Sequence, residues 1–327
     1  MKNFLFFFPN PLGSKYSGST KISNVFLDYL ESNFSFNIDS FTPYDTAEPK
    51  FIKKQYFFNN PLDNIFLKVI NKILNLFIIN HLKKDIIYKF FVKKQIKSKL
   101  DLNFYDAIIV NYVQFLKLIP NEQFHKVICF THDIYFFRQS SFLKKNFCNK
   151  IIIKLIKDEE IRRLKKCKII LILAEYERDI LLKNNVLNEK IINIGMPLKL
   201  KSQKNQSNFK YDFIFVGVNT EQNVDALLWF IKKYNNTFTN RTFGIVGSVC
   251  ESKTLIKLVK NFPNISLIGF VEDLDKAYQK SKFVVAPIQK GSGIKIKVLE
   301  ALSYQKIIFA TDKAVEGILI NRDEHYI

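Results

Sequence analysis

The C-terminal part of the chain alternates between short apolar runs and stretches with helical spacing. The apolar runs read YDFIFVG, RTFGIVGS, ISLIGF, KFVVAPI and KIIFATD. Helical patterns follow the first four of them, at 224–233, 252–261, 272–280 and 295–303. Strands that alternate with helices predict a parallel sheet with right-handed crossovers. Binding sites in such sheets form beyond the carboxyl ends of the strands, so we expect functional residues in the loops after these runs.

The N-terminal half shows a similar but less regular alternation. Apolar runs predict strands at 3–9, 34–41, 105–110, 126–130 and 168–173, and helical patterns occupy 22–30, 61–100 and 157–166. The stretch 45–62 shows no regular pattern. Residues 199–210 (KLKSQKNQSNFK) contain few large apolar side chains and no alternation, which is typical of a linker. We therefore predict two α/β domains, 1–198 and 211–327, joined by the linker 199–210.

Length and composition agree with this division. The 327 residues suit two domains of ordinary size, and 47% hydrophobic residues suffice for two cores. The first apolar run is too short for a signal peptide, and no apolar run reaches the length of a membrane span. The four cysteines have no C-x-x-C spacing and there are only four histidines, so we expect buried reduced thiols, no metal cluster and a cytoplasmic protein.

The charge adds a question about partners. The net charge is +20 and the pI is about 9.6, which suggests a polyanion or an anionic membrane surface. An AT-rich coding bias is an equal alternative, because Lys, Asn, Ile and Phe are all abundant. The segment 51–100 has eleven lysines against two aspartates, a net charge of +9, interleaved with apolar residues. Its helical part can lie peripherally on an anionic membrane, or it can be a core-packed helix with a solvated lysine face.

The stretch after the run KFVVAPI contains the most informative chemistry. It has a glycine loop before a helical pattern, and the loop consists of Gly291, Ser292 and Gly293. Strand, glycine turn and helix together point free backbone N–H groups at an anion. Lys295 and Lys297 add positive charge, and Glu300 offers carboxylate oxygens to a diol. These features predict a nucleotide site, while the alternative is a surface ion pair between Lys297 and Glu300.

The segment KGSGIKIKVLEALSYQKIIFATDKAVEGI resembles the donor-binding segment of the family 4 (group 1) glycosyltransferases of the GT-B fold. More narrowly, it resembles the branch with G-S-G-x-K-x-K-x-x-E-A. The resemblance implies two Rossmann-like doubly wound parallel-sheet domains facing a cleft, with a C-terminal domain cut short here. In the family the last glutamate holds the nucleotide ribose, which maps onto Glu300. Most members carry another glutamate eight residues earlier, where this chain has Ser292, so the donor-sugar contacts of that glutamate are in question.

The resemblance also implies contacts at the ends of the other C-terminal strands. The family's phosphate or sugar contacts map onto Gly217 and Asn219, and its loop between strands maps onto Gly247. Its backbone contact to the nucleobase maps onto Phe270 and Val271. The motif FVG followed by N-x-D-x-L-L-W-F matches the same branch. Many members place Arg and Lys after FVG to neutralise the diphosphate, and this chain has neither there. Lys295 and Lys297 are our candidates for the missing charge.

Two N-terminal features complete the predicted site. The loop after the first strand contains glycines and hydroxyl residues, and its candidates for acceptor or phosphate contacts are Gly13, Ser14 and Gly18. Without the resemblance this loop is at least as well explained as a simple turn. In the resembled branch a His-Asp pair follows a central strand and faces the cleft, which selects His132 and Asp133 as catalytic candidates. By themselves they are more typical of a structural pair or a helix cap.

The sequence therefore predicts a glycosyltransferase that uses a nucleotide-diphosphate sugar and acts on a glycan or lipid-linked glycan. We expect a retaining, metal-independent reaction in cell-surface polysaccharide or lipopolysaccharide synthesis. We expect no cofactor beyond the donor substrate and no nucleic-acid partner. We expect a cytoplasmic protein that can bind peripherally to the anionic inner face of the cell membrane. One alternative is an inverting transferase with His132 or Asp133 as general base. The other is a basic nucleic-acid-binding protein.

Overall fold

The computed structural model of the chain describes residues 2–8, 18–33, 35–42, 52–57, 92–143, 146–196, 200–201, 209–237 and 239–327. Two compact units are present. The first comprises Met1–Phe136 and Lys144–Gly195, and the second comprises Phe137–Leu143 and Met196–Ile327. No helix in the described ranges combines the length and the apolar character that crossing a bilayer requires.

The first unit contains a parallel sheet with the order β3-β2-β1-β4-β5-β6-β7. Its strands are β1 (Lys2–Phe7), β2 (Phe36–Thr42), β3 (Ile52–Phe57), β4 (Ala107–Asn111), β5 (Val127–Phe130), β6 (Ile169–Ile172) and β7 (Ile191–Asn193). Its helices are α1 (Gly18–Asn33), α2 (92–99), the start of α3 (Tyr135–Phe142), α4 (Phe147–Leu164) and α5 (Glu175–Leu182). The strand order reverses between β1 and β4, so their carboxyl ends flank the position where such sheets bind ligands.

Aromatic side chains fill the core of this sheet. Phe6, Phe7 and Phe8 are buried, and the rings of Phe7 and Phe41 lie 5.3 Å apart across β1 and β2. The run NFLFFF is apolar on both faces, as expected for a central parallel strand covered on both sides. The sheet thus holds the carboxyl ends of β1, β4 and β5 next to one another.

The second unit contains a parallel sheet with the order β10-β9-β8-β11-β12. Its strands are β8 (Tyr211–Val216), β9 (Phe243–Val246), β10 (Ile265–Gly269), β11 (Ser281–Ala286) and β12 (Ile307–Ala310). The helices that follow β8 along the chain are α6 (Glu221–Tyr234), α7 (Lys253–Val259), α8 (Leu274–Gln279), α9 (Ile296–Ser303) and α10 (Asp312–Val315). Here the order reverses between β8 and β11, which brings the loop after β8 next to the glycine loop after β11.

Local chemistry accounts for the starts of three of these helices. The side chains of Ser252, Asp273 and Thr311 each accept a hydrogen bond from a backbone N–H in the first turn of α7, α8 and α10. Such caps satisfy N–H groups that have no partner inside the helix. The predicted parallel α/β architecture is confirmed, and the described helices begin within a few residues of the predicted positions in this unit.

Two parts of the N-terminal prediction were wrong. The stretch 45–62 contains the strand β3, whose sequence IKKQYF hides its alternation because it lies at the edge of the sheet. Helix α4 begins at Phe147 and not near residue 157. Its first turns (FCNKIIIKLIK) are apolar over most of their surface and confine the lysines to one narrow side, which weakens the helical pattern. The basic segment 51–100 is described only at 52–57 and 92–100, where Lys93 and Lys94 lie exposed on α2.

Candidate functional site

The loops after β8 and β9 approach each other at two glycines. A Cβ atom on Gly247 would lie 2.2 Å from the carbonyl oxygen of Gly217, and Gly247 has a φ of +102°. The same carbonyl accepts a hydrogen bond from the N–H of Val249 at 3.2 Å. Only glycine fits at position 247, since any side chain would meet backbone. The loop after β8 is held further by Ser248, whose hydroxyl accepts the N–H of Asn219 at 3.0 Å.

The glycine loop after β11 has the conformation that its sequence predicts. Gly291 and Gly293 have φ values of +102° and +75°, a region that side chains rarely adopt. Gln222 at the start of α6 donates to the carbonyl of Lys290 at 2.6 Å. The N–H of Gly291 donates to the hydroxyl of Ser141 at 2.9 Å. An anion bound at this N–H would therefore take the place of the Ser141 hydroxyl.

Lys295 stands directly before α9 and is buried. Its Nζ donates to the carbonyl oxygen of Gly293 at 2.6 Å, so this lysine helps to close the loop as well as bringing charge to it. The ammonium group lies beside the first turn of α9, where backbone N–H groups carry partial positive charge. Both features favour an anion at this end of the helix.

Lys297 is two residues further along and points to the start of α6. Its Nζ donates to Asn223 Oδ1 at 2.5 Å and lies 4.1 Å from the centre of the Phe215 ring. Asn223 in turn donates from Nδ2 to the carbonyl of Val218 at 2.8 Å. Burial lowers the pKa of Lys297 to about 7, with Glu300 opposing the shift and nearby Lys295 adding to it. The charge of this lysine is therefore poised near neutral pH.

Glu300 lies one turn after Lys297 and is held by a buried tyrosine. The hydroxyl of Tyr278 donates to Glu300 Oε2 at 3.0 Å, and Tyr278 stacks on Tyr304 with ring centres 4.7 Å apart. Lys297 and Glu300, the two residues of the suggested surface ion pair, thus have separate hydrogen-bond partners. Lys297 donates to Asn223, and Glu300 accepts from Tyr278. Glu300 is half-buried, and the hydrogen bond from Tyr278 fixes its carboxylate.

The remaining predicted residues of the second unit lie in different surroundings. The Phe270 side chain is 57% exposed after β10, whereas Val271 packs against the hydrophobic core. Gly217, Asn219 and Gly247 lie at the carboxyl ends of β8 and β9, on the same edge of the sheet as the glycine loop. The structure therefore assembles the predicted nucleotide-site residues along one edge of one parallel sheet.

In the first unit, His132 follows β5 and its ring is buried. The ring stacks on Phe130 with centres 4.1 Å apart and on Tyr112 with centres 4.5 Å apart. Burial lowers the pKa of His132 to about 3, so the imidazole is neutral at physiological pH. Both His132 and Tyr112 adopt left-handed backbone conformations, with φ of +59° and +67°. Such conformations cost about 1–2 kcal/mol and concentrate at functional sites.

The hydrogen bonds of His132 determine its tautomer. Asn111 at the end of β4 donates from Nδ2 to the carbonyl of Phe7 at 3.2 Å, which leaves Oδ1 as an acceptor. His132 Nε2 lies 2.9 Å from that oxygen and must therefore carry the proton. His132 Nδ1 is then an acceptor, and it has no hydrogen-bond partner within the described ranges. This nitrogen is therefore an unfilled hydrogen-bond acceptor inside the described part of the first unit.

The other predicted residues of the first unit are only partly described. Asp133 is buried next to His132 in the chain. Gly13 and Ser14 lie outside the described residues, and Gly18 is the first residue of α1. The described residues contain no group of three or more His, Cys, Asp or Glu side chains that could hold a metal ion.

Four residues that the sequence analysis did not select support the predicted ones. Asn223 holds Lys297, Tyr278 holds Glu300, Asn111 orients His132 and Gln222 supports the glycine loop. Asn223 begins the N-x-D motif, which was noticed only as part of a resemblance. The signal for Asn111 was a polar residue at the end of an apolar strand. Nothing in the sequence indicated Tyr278 or Gln222, because their partners are distant along the chain.

Comparisons with known proteins agree with this architecture. Residues 210–326 match the protein-family model described as Glycosyl transferases group 1. A comparison with curated proteins found no match. Among solved structures, WaaG, a glycosyltransferase involved in lipopolysaccharide biosynthesis, has a TM-score of 0.64 at 12% identity, covering 95% of this chain and 81% of that chain.

Two further structures contain nucleotide. A mutant of S. aureus TarM in complex with fondaparinux, alpha-GlcNAc-glycerol and UDP has a TM-score of 0.66 at 11% identity, covering 100% of this chain and 89% of that chain. Anabaena Alr3699/HepE in complex with UDP and glucose has a TM-score of 0.59 at 12% identity, covering 99% and 84%. Residues 210–326 thus match the group 1 glycosyltransferases, and the chain as a whole shares the GT-B fold of these solved structures.

Proposed function

We propose that this enzyme transfers a sugar from a nucleotide-diphosphate sugar, held by the second unit, to a glycan or lipid-linked glycan. The proposal rests on one observation above all. The glycine loop 291–293, the poised ammonium of Lys297 and the oriented carboxylate of Glu300 converge where the strand order of the second sheet reverses. Parallel sheets bind ligands at this position.

Each part of a nucleotide sugar has a matching group. The diphosphate is bound by loop N–H groups and the first turn of α9, with Lys295 and Lys297 supplying charge. Glu300 accepts hydrogen bonds from the ribose hydroxyls. The loop at Phe270 and Val271 contacts the base, and the loops at Gly217, Asn219 and Gly247 contact phosphate or sugar. Fixed N–H groups and ammonium groups stabilise charge that develops on the leaving diphosphate. UDP in the TarM and HepE complexes supports a uridine donor.

The proposed reaction retains anomeric configuration and needs no metal ion. In this proposal His132 acts as a neutral residue and not as a base. An inverting reaction would require a general base at His132 or Asp133. A pKa of about 3 makes His132 a weak base, because it holds a proton poorly at neutral pH. We therefore favour the retaining route, in which the enzyme supplies no strong base at this position.

The proposed setting is the cytoplasmic side of the cell membrane, in the synthesis of a surface glycan. WaaG acts in lipopolysaccharide biosynthesis and TarM was crystallised with alpha-GlcNAc-glycerol, which supports glycan acceptors of this general kind. In this proposal Gly13, Ser14 and Gly18 contact the acceptor or the donor phosphates.

A binding panel tests the proposed donor. Calorimetry with nucleotide sugars of different bases, and with duplex DNA at two salt concentrations, separates the two classes of function. We expect micromolar-to-millimolar binding of one nucleotide sugar with a weak dependence on salt. Binding to DNA alone, with affinity that falls steeply as salt rises, would overturn the proposal in favour of nucleic-acid binding.

Removal of the Tyr278 hydroxyl tests how Glu300 is positioned. We expect Tyr278→Phe to weaken nucleotide binding by about 3- to 10-fold, because Glu300 Oε2 loses the hydrogen bond from the Tyr278 hydroxyl, about 1 kcal/mol. Binding of inorganic diphosphate should not change, since that ligand has no ribose. Equal losses for both ligands would mean that the substitution disturbs the whole site and that Tyr278 does not act through Glu300.

A further inference from the structure

An apolar row lies exposed along the first turns of α4 in the first unit. It consists of Phe147, Ile151 and Leu155, which are 77%, 46% and 61% exposed. We call this row the α4 stripe. The spacing of four residues places all three side chains on one side of the helix. Single exposed apolar residues are ordinary, but a continuous row of three large ones marks an interaction surface.

The C-terminal turns of the same helix already contact its own unit through a buried side. Ile161 and Leu164 are buried there, together with Glu160. The carboxylate of Glu160 accepts the N–H groups of Tyr135 and Phe136 at 2.9 and 2.7 Å. Helix α4 is therefore anchored through one side, and the α4 stripe is not needed for that anchoring.

The charge around the stripe is of one sign. Residues 144–157 contain five lysines and no acidic residue, and Lys150 and Lys154 lie exposed beside the stripe. The next acids along the helix are Asp158 and Glu159, beyond its far end. Glu159 is engaged by Arg162 and Arg163, each at 2.5 Å. An apolar row flanked by lysines along most of its length is complementary to an anionic lipid surface, which offers acyl chains beneath phosphate groups.

We propose that the α4 stripe, with Lys150 and Lys154, docks the enzyme on an anionic bilayer. Helix α4 then lies in the plane of the membrane, with the three apolar side chains among the acyl chains and the ammonium groups at the phosphates. The inference gives the peripheral location in the proposed function a defined surface. It rests on the proposed function only for the reason why the enzyme would work at a membrane. Vesicle binding itself is measured without donor or acceptor.

The chain contains its own probe for this surface. Cys148 is exposed next to Phe147, whereas Cys129, Cys167 and Cys250 are buried. A maleimide reagent should therefore label the native protein at Cys148. We expect rapid labelling in solution and slow labelling after addition of vesicles that contain phosphatidylglycerol. Slow labelling in solution would mean that another part of the chain or a second copy covers the stripe, and this would overturn the proposal.

Matched variants provide the decisive test by vesicle co-sedimentation. Phe147→Ser, Ile151→Ser and Leu155→Ser together should lower binding to phosphatidylglycerol vesicles by roughly 100-fold or more. The control has the same composition at other exposed positions of the first unit, namely Phe104→Ser, Leu187→Ser and Ile192→Ser, and should bind as the wild type does. Equal losses in both triple variants, or no loss in the stripe variant, would overturn the proposal.

The lysines are tested with a second matched pair. Lys150→Gln with Lys154→Gln should lower binding by roughly 10- to 30-fold at low salt and by less at high salt. The control, Lys253→Gln with Lys257→Gln, removes an exposed pair of the same spacing from α7 and should have little effect. Equal effects of the two pairs, or equal wild-type binding to neutral phosphatidylcholine vesicles, would contradict the proposal. Unchanged nucleotide-sugar binding in every variant would leave the proposed function intact, so the two ideas can fail separately.

Discussion

Replacing Glu300 by alanine is expected to lower nucleotide affinity by roughly 30- to 140-fold. The carboxylate would lose its charged hydrogen bonds to the ribose, which contribute about 2–3 kcal/mol. Because Tyr278 fixes Oε2, the carboxylate is already oriented before the nucleotide arrives. Little of that interaction is then offset by ordering the side chain on binding. Isothermal calorimetry with the nucleoside diphosphate measures the loss directly.

Controls separate the ribose role from a structural one. Glu300→Ala also leaves the buried Tyr278 hydroxyl without this acceptor, so we expect a loss of about 1 kcal/mol in the free energy of unfolding. Glu324→Ala removes an exposed carboxylate of the same unit and should change neither quantity. Unchanged affinity in Glu300→Ala would reject the ribose role.

Removing the charge of Lys297 is expected to weaken nucleotide-sugar binding by about 10- to 100-fold, since a charged hydrogen bond to phosphate contributes about 1.5–3 kcal/mol. The natural nucleoside should bind to Lys297→Met almost as well as to the wild type, because it carries no phosphate. Lys295→Met should show the same preference for the diphosphate ligand. Equal losses for both ligands would mean that these lysines do not contact phosphate.

The lowered pKa of Lys297 adds a pH dependence. Its ammonium is charged below a pKa of about 7 and neutral above it, so affinity for the nucleotide sugar should fall as pH rises through about 7. Bound phosphate favours the charged form and moves this fall to higher pH in the complex. The diphosphate of a nucleotide sugar has no proton to lose in this range. Calorimetry from about pH 6 to about pH 9 should show the fall in the wild type, and its absence in Lys297→Met. A flat wild-type profile would contradict the proposed charge switch.

The regular second unit was largely predictable, whereas parts of the first were not. Strands β8 to β12 are short, apolar and separated by helices, so each left a period or a run that could be recognised. Among the described strands, β3 pairs only with β2 at the edge of its sheet, and its open side permits lysines that break the pattern. The early turns of α4 are apolar over most of their surface, with the lysines on one narrow side. Periodicity cannot reveal a helix that exposes apolar residues on one side and packs them on the other.

Within the site, the sequence indicated the groups that point to a ligand but not those that hold them. Glycine at 291 and 293, the two lysines and Glu300 lie within ten residues, and their spacing carried the prediction. Asn223, Tyr278 and Gln222 are far from them in the chain and have ordinary roles as single residues. Their importance comes from distances that only the packing of α6, α8 and α9 against the sheet creates.

The sequence by itself determined the alternation of strands and helices, the glycine loop and the positions of charge, because these depend on short-range periodicity and backbone sterics. The tertiary structure decided three further properties. It buried Lys297 against Phe215 and so lowered its pKa, it directed His132 Nε2 to Asn111, and it left the α4 stripe exposed. Each property depends on desolvation or on a contact between distant segments. Desolvation and long-range contacts are not encoded in neighbouring residues, since they arise only when the strands have been placed side by side.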